Sequence, residues 1–210
     1  MKKPLPADSG ILFPKDLPAE PVDWLRLFGK EGPVELEVGC GKGRYLLERA
    51  ADHPDRLFVG LEFARAYVLT IEKRARQRGL ANIRLFREEA GRFFRDCLGD
   101  RSLHAFHLFY PDPWPKTRHH RRRLIQDEFL ADLRRVLVPG GIIQIATDHE
   151  GYFEWMARKF NQWKGTFLIE ADIIDSPRKR HGLKGRTNYE IRFLEEERPL
   201  YFLNGQRTGF

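Results

Sequence analysis

An α/β architecture, a doubly wound and mostly parallel sheet with an antiparallel edge, is predicted by three observations. Short apolar strands alternate with helical stretches five times along the chain, a rhythm that right-handed crossovers turn into one parallel sheet. A glycine-rich turn, Gly39-Cys40-Gly41-Lys42-Gly43, separates the first of these strands from the first helix. The last two strand-like segments are joined by a loop with no clear helix, as an antiparallel pair would be.

The elements follow in order. Residues 1–21 carry five prolines and little periodicity, which predicts an extended or partly ordered arm ahead of a single domain over 22–210. Asp23 starts a short helix ending at Phe28. A strand over 34–38 leads through the glycine turn to a helix over 44–51, a strand over 57–62 to a helix over 64–78 closed by Gly79, and a strand over 83–86 to a helix over 91–98. The fourth strand, 103–110, is apolar and aromatic on both faces, and Pro111, Pro113 and Pro115 forbid its continuation. Residues 124–137 predict a helix with Phe129, Leu133, Val136 and Leu137 on one face, turned by Pro139-Gly140-Gly141 into a strand over 142–146 that ends at Thr147-Asp148. A helix over 152–163 and two β-rich segments, 166–174 and 189–194, complete the chain.

At 210 residues the chain can bury a full core without staples, and no apolar run approaches the roughly 18 residues of a membrane span. Two cysteines are too few for a disulfide framework or a zinc site, and the first residues lack a secretory apolar stretch. The expectation is a cytoplasmic protein with no membrane and no metal, as monomer or homodimer. The net charge of +7 is localised: residues 116–123 and 178–186 each hold five Lys or Arg and no acid. Without them 27 basic residues face 30 acidic ones, so the excess sits in two loops, the footprint of a nucleic-acid contact.

Asp112 lies just past the carboxyl end of a buried strand, where open α/β sheets bind ligands, and is the candidate catalytic residue. An aspartate between prolines is also ordinary turn chemistry. The turn Glu37-x-Gly39-x-Gly41-x-Gly43 lets a ligand approach the backbone, but Arg44 stands where a dinucleotide fingerprint needs its third glycine. Glu62, at the end of the second strand, is placed to accept both hydroxyl protons of a ribose.

This turn resembles motif I of class I S-adenosylmethionine-dependent methyltransferases, whose sheet is Rossmann-like. The run Phe109-Tyr-Pro-Asp-Pro-Trp-Pro-Lys-Thr-Arg-His-His-Arg-Arg-Arg123 resembles the signature of the TrmB family, the bacterial tRNA (guanine-46-N7)-methyltransferases, and Ala146-Thr-Asp148 and Thr187-Asn-Tyr-Glu190 match two further motifs in order. The resemblance covers residues 30–195. It implies methyl transfer from S-adenosyl-L-methionine to N7 of guanine in the variable loop of tRNA. It implies a cofactor site of Glu37, Gly39, Gly41, Gly43, Glu62, Glu89 and Asp112, with Glu37 near the methionine end and Glu89 on the adenine side. Lys116, Asp148, Thr187, Asn188, Tyr189 and Glu190 match substrate-binding positions, and Arg118, His119, His120, Arg121, Arg122 and Arg123 match the RNA-contacting run. Asp148 also reads as a helix N-cap ahead of His149 and Glu150. Three rival readings remain: a methyltransferase of another substrate, a non-catalytic RNA-binding module on the same fold, and an NAD oxidoreductase.

Overall fold

The computed structural model describes residues 11–12, 21–176, 179 and 185–209. They build an eight-stranded sheet in the order β1 (Ile11–Leu12), β4 (Ile83–Phe86), β3 (Leu57–Leu61), β2 (Val34–Val38), β5 (Leu103–Phe109), β6 (Leu137–Thr147), β8 (Leu200–Arg207) and β7 (Phe167–Ile174). Neighbours are parallel except around β8, which is antiparallel to both β6 and β7. The parallel sheet with an antiparallel edge is therefore what forms. Most of the arm, and residues 177–178 and 180–184, which include much of the second basic loop, lie outside the described residues.

Helices cover both faces. α2 (Arg44–Asp52) and α3 (Arg65–Gln77) place Leu46, Leu47, Val68 and Ile71 against Phe58, Ile83 and Leu85. On the other face α5 (Asp127–Val136) and α6 (Glu150–Gln162) bring Phe129, Leu133 and Met156 against Leu36, Phe106 and Ile143, with α1 (Trp24–Phe28) joining at Phe28. The alternation of β2 serves both layers. Val34, Leu36 and Val38 enter the larger cluster, whereas Glu35 reaches back to Arg49 of α2. α4 (Ala90–Arg92) is a single turn that widens into a π-helix over Phe93–Cys97.

Two expected elements differ. Segment 189–194 is not a strand but lies in α7 (Asn188–Glu195). Thr187 caps it by accepting from Glu190 N at 3.0 Å, and the i,i+4 pairs Arg186–Glu190 and Arg192–Glu196 run along it. The missed strand is β8, which follows Pro199. The helix expected over 124–137 begins only at Asp127 and ends at Val136, and Pro139-Gly140-Gly141 is not a helix-to-strand turn. Leu137 already pairs with Leu103, and the register then slips before Ala105 meets Ile142. The glycines supply a bulge, with Gly140 at φ 75°.

Candidate active site

β2 and β5 are neighbours, and the chain proceeds outward from them in opposite directions, so the crevice beyond their carboxyl ends is the switch point of the sheet. The glycine turn follows β2 and the Pro-Asp-Pro-Trp loop follows β5. Between them opens a cleft of about 760 Å3 lined by Gly39, Gly41, Glu62, Glu89, Asp112 and Tyr189, among others. A second cavity, of about 320 Å3, adjoins it at the turn and is lined by Glu37, Tyr45, Thr187, Asn188 and Arg192.

The three turn glycines have different tasks. Gly39 and Gly41 have φ of 70° and 51°, and a Cβ on Gly39 would meet nothing within 4 Å, so the turn leaves open space on the cleft side. A Cβ on Gly43 would meet Ile71 Cγ1 at 2.6 Å. Gly43 is thus a packing glycine between α2 and α3 and lines neither cavity, unlike Gly39 and Gly41. Glu62 accepts from Gly41 N and Ala64 N, both at 2.8 Å, one on each carboxylate oxygen. The carboxylate fixes the turn, and each oxygen keeps a lone pair for a ligand hydroxyl.

Glu37 is buried, and its Oε2 has no hydrogen-bond partner. Burial, and then the charge of Glu62, push its carboxyl up to about 8. α2 begins at the rim of the same cavity with no side-chain cap. A buried carboxyl with one unpartnered oxygen, beside an uncapped helix N-terminus, suits the ammonium and carboxylate of an amino-acid group. Glu89 caps α4 by accepting from Gly91 N and Arg92 N, both at 2.8 Å, while remaining exposed on the cleft. Glu88, its buried neighbour, pairs with Arg92 at 3.1 Å.

The loop that carries Asp112 is strained and tightly held. Tyr110 and Trp114 lie on either side of it in the left-handed region, at φ 54° and 44°, a conformation that costs about 1–3 kcal/mol for residues with a Cβ. Tyr110 N donates to Ala146 O at 2.7 Å, and Arg122 lies 4.7 Å over the Trp114 ring. Arg123 is 4% exposed; its Nε donates to Pro113 O at 2.9 Å while its guanidinium packs over the rings of Tyr152 and Trp155. Unlike the exposed members of the run, Arg123 is therefore turned inward and holds the peptide next to Asp112. Lys116, Arg118, Arg121 and Arg122 are exposed, and His119 and His120 are half-buried against Trp114 and Trp155.

Asp148 does not cap α6. His149 does, accepting from Tyr152 N at 3.2 Å, and Asp148 is engaged by Arg198 at 2.5 Å. Glu190 is buried and accepts from Arg186 Nε at 3.3 Å. The Tyr110 hydroxyl, buried and facing that carboxylate, is held protonated well above its ordinary range. Tyr189 keeps half its surface exposed at the mouth of both cavities. Arg123, Arg198 and Tyr110 carried no sequence signal for these tasks, because their partners lie in other elements or their role depends on burial.

Residues 31–203 match the family model described as putative methyltransferase. A tRNA (guanine-N(7)-)-methyltransferase of Geobacter metallireducens is 32% identical over 100% of this chain and 98% of its own length. One of Pseudomonas putida is 40% identical over 95% of this chain and 78% of its own. The chain belongs to the tRNA (guanine-N7)-methyltransferase family. Among solved structures, the 16S rRNA methyltransferase KamB superposes with a TM-score of 0.64 at 19% identity, over 90% of this chain and 95% of that one, a likeness of fold alone. In this methyltransferase family member the glycine turn, Glu37, Glu62 and the Pro-Asp-Pro-Trp loop meet at one crevice, and Arg198 and Arg186 supply the charges that face Asp148 and Glu190.

Proposed function

We propose that this chain methylates N7 of guanine 46 in the variable loop of tRNA, using S-adenosylmethionine, and that it works in the cytoplasm. The observation that carries the reading is the strained, arginine-held loop that sets Asp112 on the wall of the cleft shared with the glycine turn. Two buried free cysteines, Cys40 and Cys97, fit a reducing compartment. The cofactor supplies an electrophilic methyl group on a cationic sulfur. Glu37 would hold the ammonium of its methionine end, Glu62 the ribose hydroxyls, and Gly39 and Gly41 admit it to the backbone.

Guanine N7 carries a lone pair and no proton, so no residue has to act as a base. Asp112 then acts by orientation and by its negative charge beside a base that becomes cationic. Asp148 and Glu190 can accept from guanine's N1 and N2 donors, a pattern that adenine does not offer. In the structure their charges face Arg198 and Arg186, so guanine must share these carboxylates with the arginines. Tyr189 offers an exposed ring for stacking on an extruded base, and Lys116, Arg118, Arg121 and Arg122 offer charges to the backbone.

The test is to treat unmodified bulk tRNA with the protein and labelled cofactor and to map N7-methylguanosine. Label at the variable-loop guanine is the expected result. Label elsewhere, or none, overturns the reading.

A further inference from the structure

The cleft does not end at the reaction centre. The two cavities share Gly39, Gly41, Tyr67, Phe109 and Tyr189. The smaller one shares Arg44 and Asn188 with a third cleft of about 460 Å3, where Arg44 and Glu48 of α2 face Arg74, Gln77 and Arg78 at the end of α3. One continuous depression thus runs from Arg121 and Arg122 past Asp112 to Arg74 and Arg78. Its far end is basic and unneutralised. Among the described residues Glu48 is the only acid lining it, and it pairs with Arg44 at 3.3 Å. Arg74 donates to the Lys42 carbonyl at 3.0 Å. Lys73, next to Arg74 and one helical turn before Gln77 on α3, borders the cleft, and among the described residues Lys42, Lys73, Arg74 and Arg78, all exposed, form no ion pair.

This charge is not in either basic loop and was hidden in the sequence, where the acids of other elements balance it. Exposed cations left without carboxylates in a groove continuous with a guanine site match a phosphate chain that enters at one end and leaves at the other. The amides of Gln77 and Asn188 add donors to the same groove.

We propose that the tRNA backbone passes over the exposed Tyr189 and Asn188, outside the cavity given to the cofactor, into this third cleft, where Arg74 and Arg78, with Lys73 beside them, bind phosphates at the end away from the Lys116–Arg122 segment. The inference rests on tRNA being the substrate. It makes the footprint two-sided about the methylated guanine.

The test compares the wild-type chain with Lys73→Gln/Arg74→Gln/Arg78→Gln, measuring the dissociation constant of unmodified tRNA between 50 and 200 mM salt. Because Arg74 also holds the Lys42 carbonyl, Lys73→Gln/Arg78→Gln serves as the second variant. The slope of log affinity on log salt should flatten by roughly two to three units in the triple variant and by roughly one to two in the double. The single-turnover rate at saturating tRNA should stay unchanged in the double variant, as should its affinity for S-adenosylmethionine. A wild-type slope retained by the double variant overturns the proposal, whatever the triple does. Wild-type protein that neither binds nor methylates tRNA would instead overturn the functional reading, so the two failures are distinguishable.

Discussion

Glu35 and Glu37 stand two residues apart on one strand, both buried, and end in opposite electrostatic states. Glu35 receives Arg49 at 2.7 and 3.0 Å, Arg56 at 2.8 Å and His107 at 3.1 Å. Burial alone would raise its carboxyl, but the bonds from His107 and Arg49 outweigh it and hold the group far below the usual range. Glu37, one pleat nearer the cleft, has an oxygen with no partner and is pushed up to about 8. A carboxylate that belongs to the scaffold is completed by the protein. Glu37, which the proposed function assigns to the cofactor, is left incomplete, and the free protein bears the strain.

Removing the completed partner should cost most. Glu35→Ala leaves Arg49, Arg56 and His107 without their shared carboxylate; we expect a loss of about 3 kcal/mol, near the low end for a buried pair because both guanidiniums reach solvent. In a thermal melt this is a fall of about 6–12 °C. A fall under about 2 °C would show that the two sites do not differ in the way described.

Glu37→Gln should do the reverse. It removes no internal bond on Oε2, so stability at neutral pH holds or rises, while calorimetric affinity for S-adenosylmethionine falls about 10- to 100-fold, the worth of a charge-assisted bond. The signs with pH are also opposed. Glu37 titrates higher in the folded state, so its contribution is fully present below the ordinary carboxylate value and is lost as pH rises through about 8. Glu35 titrates lower, so its contribution is present above the ordinary value and is lost as the solution is acidified. Melts from pH 4 to 9 should therefore show a decline that runs from the ordinary carboxylate value up to about pH 8 and that Glu37→Gln abolishes.

The same contrast separates the arginines of one run. Arg123→Lys should lower the single-turnover rate about tenfold or more through a displaced Asp112 loop, with tRNA affinity unchanged. Unchanged rate with weakened tRNA binding would return Arg123 to the RNA contact. The smallest effects belong to the exposed members: Arg118→Gln and Arg121→Gln should each flatten the salt dependence of tRNA binding by roughly one unit and leave the rate at saturation intact.

The parts legible in the sequence are those written in local pattern. Five strand–helix alternations gave away the parallel sheet, and the proline run after Phe109 announced the end of β5 and the loop bearing Asp112. Residues 189–194 misled because Ile191, Phe193 and Leu194 suit either period, and the deciding contacts, the Thr187 cap and the Arg186–Glu190 pair, are visible only once the backbone turns. Arg123 reads like its neighbours Arg121 and Arg122 until Tyr152 and Trp155, about thirty residues later, fold over it. Asp148 looked like a cap because its partner, Arg198, comes from a different element.

The strand order carries a consequence for how the molecule comes into being. β7 leaves the ribosome before β8 yet lies outside it, joined to the sheet only through β8. Until residues 198–207 emerge, β7 has no strand to dock on and Asp148 lacks Arg198, which lies two residues before β8. Assembly of this side of the pocket therefore waits on β8: a nascent chain can already hold the glycine turn and the Asp112 loop, but Asp148 gains Arg198 and β7 gains its neighbour only once residues 198–207 have emerged.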